Sequence, residues 1–227
     1  MSAESAGADS VGSSPGGELP AGSAGVPDRA RLFVALDLDG HAREALARWR
    51  DGIAASEPGL RPVPLDALHM TLCFLGTCPA GEVDAIAAAC AIGCEAPLSG
   101  LRHGDSLLLP RRHPRVLAAM VEDDAGALAR VQSALADALS AGGWYRPEPR
   151  PFLAHVTVAR VAGDRRSRRI SRPAPPLPLD LAETAIVALY RSHLSAAGSR
   201  YEVLRVVSLR GGGTAECRPG PLDEVRS

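Results

Sequence analysis

The sequence predicts an α+β fold of two similar lobes around a shared cleft, and three observations lead there. Strand-like apolar runs alternate with helix-spaced segments, but without the strict β-α alternation of a parallel sheet. A His-x-Thr triplet inside such a run occurs twice, in "LHMTLCFLG" (residues 68–76) and "FLAHVTVAR" (residues 152–160). The two histidines, His69 and His155, stand 86 positions apart, so each half of the chain is expected to supply one strand to the cleft.

Taken in order, residues 1–28 are Gly, Ser, Ala and Pro with little to bury, and read as a disordered tail ahead of a domain over 29–210. "RLFVALDLD" reads as a buried strand. Asp39 then caps a helix whose Ala42, Ala45, Leu46, Trp49 and Ile53 keep helical spacing. The first His-x-Thr strand comes next, with Leu68, Met70, Leu72 and Phe74 expected on its apolar face and His69, Thr71 and Cys73 on the other. A helix near 80–92 presents Val83, Ile86, Ala87 and Cys90. "DSLLLPRRHPRVLAAMVED" reads as two strands joined by a Pro- and Arg-rich connection.

Asp124 is expected to open a further helix carrying Leu128, Val131, Leu135 and Leu139, ended by Gly142 and Gly143. In the second His-x-Thr strand Phe152, Ala154, Val156 and Val158 alternate with His155 and Thr157. "AETAIVALYRSHL" and "RYEVLRVVSL" form a closing hairpin, and residues 211–227 read as a second disordered tail.

Composition bounds the chemistry. A 227-residue chain with 46% hydrophobic residues buries a real core. Its formal charge of −1 argues against bulk electrostatic binding to nucleic acid or membrane, so any RNA contact is local. All 25 basic residues are arginine, which excludes Schiff-base, lysyl-nucleotide and Walker-type phosphate-loop chemistry. Five cysteines without paired spacing, and no apolar signal segment or membrane-length run, lead us to expect a soluble cytoplasmic protein. No metal site is expected, because neither His-x-Thr strand supplies further ligands.

Six histidines and five threonines placed at random give about 0.1 His-x-Thr triplets, against the two present. If the strands face each other, two imidazoles and two hydroxyls converge. One imidazole can accept a proton while the other donates, and each hydroxyl can hold an oxygen between them. That arrangement suits in-line displacement at phosphorus without a metal or other cofactor.

These residues resemble the two-histidine (2H) phosphoesterase superfamily, specifically the RNA 2′,3′-cyclic phosphodiesterases also called 2′-5′ RNA ligases. "RLFVALDL", "LHMTLCFLG", "PRVLAAMVE", "RPFLAHVTVAR", "LYRSHL" and "RYEVL" carry the resemblance over most of residues 31–210. It implies a bilobal fold of two pseudo-symmetric antiparallel-sheet lobes with flanking helices. It also implies hydrolysis of an RNA-terminal 2′,3′-cyclic phosphate to a 2′-phosphomonoester. On the matching positions His69 is the proton donor to the departing 3′ oxygen, His155 the proton acceptor from water, and Thr71 and Thr157 bind the phosphate. Ala154 stands where many relatives place proline and Val158 where leucine is common, and neither touches that chemistry.

Arg160, at the end of the second motif strand, is a candidate substrate contact, with Arg150 and Arg115 weaker versions of the same case. Arg165, Arg166, Arg168, Arg169 and Arg172 read as a solvated loop, and His41, His103, His113 and His193 as surface or capping residues. The expected partners are RNA ends or small cyclic-phosphate nucleotides, with the chain a monomer. Two other activities are compatible with the same residues: 2′-5′ RNA ligation, and a non-catalytic module that binds RNA ends.

Overall fold

The computed structural model describes residues 28–93, 98, 100–162, 175–181, 186–195, 198–207 and 217–218. Strands β1 (Arg29–Asp37), β3 (His69–Pro79), β7 (Ile186–Ser195), β8 (Gly198–Val207) and β9 (Cys217–Arg218) form a five-stranded sheet in the order β3-β1-β7-β8-β9. Strands β2 (Leu60–Pro62), β4 (Arg102–Leu109), β5 (Val116–Glu122) and β6 (His155–Val161) form a four-stranded sheet in the order β2-β6-β5-β4. Every pairing is antiparallel. The sheets carry equivalent units: β1, helix α1 (Gly40–Ala54) and β3 in one half, and β5, helix α3 (Ala127–Ala141) and β6 in the other.

The helices tie the halves together. Helix α1 packs on β2 and β6, whereas α3 packs on β3 and on helix α2 (Val83–Gly93), which also meets β8. The main core lies between the sheets and these helices. Alternate residues of β1 (Leu32, Val34, Leu36) and β7 (Val187, Leu189) enter it with Leu46, Trp49, Ile86, Val131, Leu135 and Val156. The opposite face of the five-stranded sheet carries a smaller cluster of Phe33, Ala35, Ala188 and Tyr190, with Tyr201 and Val203 packed beside it. This second cluster is the floor under the first motif.

Local signals account for most element ends. Asp39 caps α1 through its carboxylate, which accepts from the Ala42 N–H at 2.6 Å. Helix α3 does not open at Asp124 as expected. Gly126 takes a left-handed conformation (φ 64°), and the Asp123 carboxylate accepts from the N–H groups of Ala127 and Ala129 at 2.8 and 2.9 Å. Asp124 is drawn instead to Arg102 at 2.6 Å. At the other end Gly142 is required by packing, since a Cβ there would fall 2.0 Å from the Trp144 ring. The expected C-terminal tail also contains β9, whose Cys217 and Arg218 extend the sheet along β8. Residues 1–27, the rest of 211–227 and Arg165 to Arg172 lie outside the described residues, and Asp28, the last residue assigned to the N-terminal tail, is exposed.

The strict alternation read into the motif strands fails at one matching place in each. In β3, Val34 stands opposite Cys73 and Ala35 opposite Thr71, which leaves Leu72 as an extra residue. In β6, Leu117 stands opposite Ala159 and Ala118 opposite Thr157, which leaves Val158 extra. A β-bulge of this kind reverses which face later residues take. Cys73 and Ala159 therefore turn inward and are buried, while Phe74 and Arg160 are exposed. Gln132 reaches the carbonyl of Leu72 at 3.4 Å, and the Val63 N–H reaches that of Val158 at 2.9 Å, continuing the β2–β6 ladder past Pro62. A second bulge in β3 leaves Leu75 extra, and β6 begins only at His155, so Phe152 and Ala154 precede the strand.

Candidate active site

His69 and His155 are the first residues of β3 and β6, and each threonine follows two positions later, on the same face as its histidine. Across the ladders Ala35 stands opposite Thr71 and Ala118 opposite Thr157. Opposed residues share a face, so the small alanine leaves space in front of each hydroxyl. Each imidazole also bonds to the carbonyl two residues before it. His69 donates to Ala67, and His155 Nδ1 lies 2.8 Å from the Leu153 oxygen. A ring N–H donated to a carbonyl leaves the other nitrogen of a neutral imidazole to accept a proton.

His69 sits on the aromatic floor. Its ring stacks on Phe33 at 4.9 Å and on Tyr190 at 5.7 Å, and meets the edge of Tyr201 at 5.0 Å. Behind it is a buried polar knot. Asp37, opposite His69 in the ladder and 1% exposed, pairs with Arg43 and accepts the Tyr190 hydroxyl at 2.9 Å. Arg43 Nε in turn donates to the carbonyl of Leu68, the residue before His69, at 3.3 Å. The knot therefore holds the backbone that presents the imidazole.

Burial lowers His69 from 6.5 to about 4; donation to the Ala67 carbonyl opposes this, and the charges of Arg43 and His155 add to it. His69 is thus neutral at pH 7, and His155 lies close enough for its charge to be felt. Between pH 6.5 and about 4 the unfolded imidazole binds a proton that the folded one refuses, so stability falls as the solution is acidified through that window. The loss at the acid end is up to about 3 kcal/mol. Buried His103, lowered by desolvation, acts in the same direction. Urea unfolding at several pH values is expected to show a shallower acid loss in His69→Gln than in wild type. Equal slopes would contradict a desolvated His69.

A cavity of about 760 Å³ opens where the two sheets meet, with Thr71 from β3 and His155 from β6 in its wall. Leu72, Phe74, Gln132, Tyr145 and Phe152 also line it, as do Arg111, Arg115 and Arg150. Of the arginines singled out in the sequence, Arg115 lines the cavity, and Arg150 does so with its charge taken by Glu148 at 2.6 Å. Arg160 is exposed and makes no ion pair among the described residues. Its bulge places it on the outward face with Thr157, opposite Arg61 of β2, but outside the cavity wall.

His41, His113 and His193 are exposed, as expected. His103 is not: it is 2% exposed, packs its ring against Trp49 at 4.5 Å and accepts the Leu177 N–H on Nδ1 at 2.7 Å. That correction follows from tertiary packing, because nothing adjacent in sequence predicts it. Sequence reading also missed Asp37, Arg43 and Arg111. A carboxylate ending an apolar strand was the available signal for Asp37, while the others are joined to the site only by folding. Among the described residues no group of three or more His, Cys, Asp or Glu side chains could hold a metal, and no helix is long and apolar enough to cross a membrane.

Two antiparallel sheets with one His-x-Thr strand apiece, Thr71 and His155 lining one cavity while His69 and Thr157 are not in its wall, suit a phosphoesterase of the two-histidine type. The match to known proteins agrees. Residues 36–101 match the family model described as LigT like Phosphoesterase. The chain is 33% identical over 202 residues to the RNA 2′,3′-cyclic phosphodiesterase of Thermus thermophilus, covering 84% of this chain and 96% of that one. It is 30% identical over 181 residues to the Escherichia coli protein of the same name, covering 77% and 94%. The crystal structure of E. coli LigT complexed with 3′-AMP superposes with a TM-score of 0.64 at 26% identity, over 81% of this chain and all of that one. The chain belongs to the LigT-like phosphoesterases.

Proposed function

We infer that the protein hydrolyses the 2′,3′-cyclic phosphate at the end of an RNA to a 2′-phosphomonoester. The observation that carries this reading is the convergence of Thr71 and His155, from different sheets, on one cavity, with His69 beside them. Water attacks phosphorus opposite the 3′ oxygen, and His155 takes its proton. The bond from phosphorus to the 3′ oxygen breaks, and His69 gives that oxygen its proton. Thr71 and Thr157 donate to the two non-bridging oxygens, where charge accumulates, and Arg160 adds a further cation at the outer edge. Strain in the five-membered ring lowers the demand on each group.

A neutral His69 cannot donate, so its proton arrives with substrate. The phosphodiester anion restores the solvation that burial removed and raises the imidazole. The alkaline limb of kcat is therefore expected at higher pH than that of kcat/KM, since the first reports the bound and the second the free enzyme. Coincident limbs would assign the donor elsewhere. The direct test is an RNA ending in a 2′,3′-cyclic phosphate, incubated with wild-type protein in excess chelator, with the product identified as the 2′- or 3′-monoester. Release of the 2′-monoester is the expected result. A folded protein that leaves the end intact, or joins it to a 5′-hydroxyl without hydrolysis, overturns the reading.

We place the protein in the cytoplasm, a reading supported by Cys73 and Cys78, which are buried free thiols. We take it to act as a monomer, which sedimentation velocity checks.

A further inference from the structure

The cavity holds more room and more charge than a cyclic phosphate uses. Besides Thr71 and His155 its wall includes Phe74, Phe152 and Tyr145, and Arg111 and Arg115 from the connection between β4 and β5. At about 760 Å³ it lies within the range of roughly 300–1,000 Å³ that encloses whole organic ligands. Phe74 is 45% exposed, an unusual position for so large an apolar ring, and Arg31 holds it from 4.6 Å away. Arg111 and Arg115 are exposed and make no ion pair among the described residues, unlike Arg150 in the same wall. The carboxylates in the wall are Glu148, which Arg150 neutralises, and Asp137 on α3. An exposed aromatic ring that shares a cavity wall with unpaired guanidinium groups is a surface on which single-stranded nucleic acid is held.

We propose that this cavity binds the ribonucleotides immediately 5′ of the cyclic end, with a base on Phe74 and backbone phosphates on Arg111 and Arg115. An RNA strand is then preferred over an isolated cyclic nucleotide, which has no upstream phosphate for these arginines. The inference rests on the cyclic-phosphate reading, because that reading sets which end of the strand enters the cleft.

The test is calorimetric binding of a trinucleotide ending in a 2′-phosphate and of the matching nucleoside 2′-phosphate, at several salt concentrations. Wild type is expected to bind the trinucleotide at least about tenfold more tightly. Arg111→Ala/Arg115→Ala is expected to lose most of that advantage. Its dependence of log K on log salt is expected to fall by about 0.7 for each lost phosphate contact. Phe74→Ala reduces the advantage without changing the salt dependence. The charge-matched Arg48→Ala/Arg200→Ala, at exposed positions that do not line the cavity, leaves both intact.

Equal affinity for the two ligands in wild type, an advantage that survives the Arg111/Arg115 double substitution, or an equal loss in the control overturns the proposal. Turnover is read separately. A wild type that cleaves cyclic mononucleotide and cyclic-ended trinucleotide equally well keeps the activity and loses this site. One that cleaves neither, yet retains the arginine-dependent binding advantage, loses the activity and keeps it.

Discussion

His155→Ala is expected to lower kcat on an RNA 2′,3′-cyclic phosphate end by about 10² to 10⁴-fold, and His69→Ala by a similar factor, since each removes one proton-transfer step. The two losses are not expected to multiply. Once either group is gone the other has lost its partner in the concerted exchange, so the double variant is expected to lie near the poorer single one. Affinity for a 2′-phosphorylated product is expected to persist in His155→Ala, because the threonine hydroxyls and arginines remain. This combination separates an enzyme from a module that only binds RNA ends. A variant at either position that retains wild-type kcat in excess chelator would falsify its proton-transfer role.

Asp37→Ala is expected to destabilise the protein by about 3–5 kcal/mol, the usual cost of stranding one member of a buried ion pair. Asp37 is 1% exposed, Arg43 depends on it, and the Tyr190 hydroxyl loses its acceptor at the same time. The measurement is the urea midpoint at constant m. Removing both charges, in Asp37→Ala/Arg43→Met, is expected to cost less than the sum of the singles, because no uncompensated charge remains. Arg43 also fixes the Leu68 carbonyl, so the folded fraction of Arg43→Met is expected to show a lower kcat with little change in KM. Losses under about 1 kcal/mol in both single variants would show that the knot is no more than a surface pair.

The core positions of α1, α2 and α3 were legible because a helix repeats every 3.6 residues and its buried stripe is written locally. Ile86, Ala87 and Cys90, and Leu128, Val131, Leu135 and Leu139, are buried as their spacing indicated. The two His-x-Thr motifs were legible for the same kind of reason, since chemistry and strand period coincide within nine residues. Helix starts were less secure. Asp123, Asp124 and Gly126 offer competing caps, of which Asp123 takes the helix N–H groups while Asp124 pairs with Arg102.

The amino-acid sequence alone therefore determined the α+β class, the internal repeat, the helix faces and the choice of His69, Thr71, His155 and Thr157 as the candidates for the site. Tertiary structure alone decided the environment of those groups. Leu72 and Val158 look like ordinary strand residues, and only pairing with β1 and β5 makes them bulges that turn Phe74 and Arg160 outward. Asp37, Arg43 and Tyr190 meet behind His69, although Tyr190 is 153 residues from Asp37. Desolvation and ion pairing depend on which groups crowd together after folding, and one-dimensional periodicity records only which face of its own element a residue occupies.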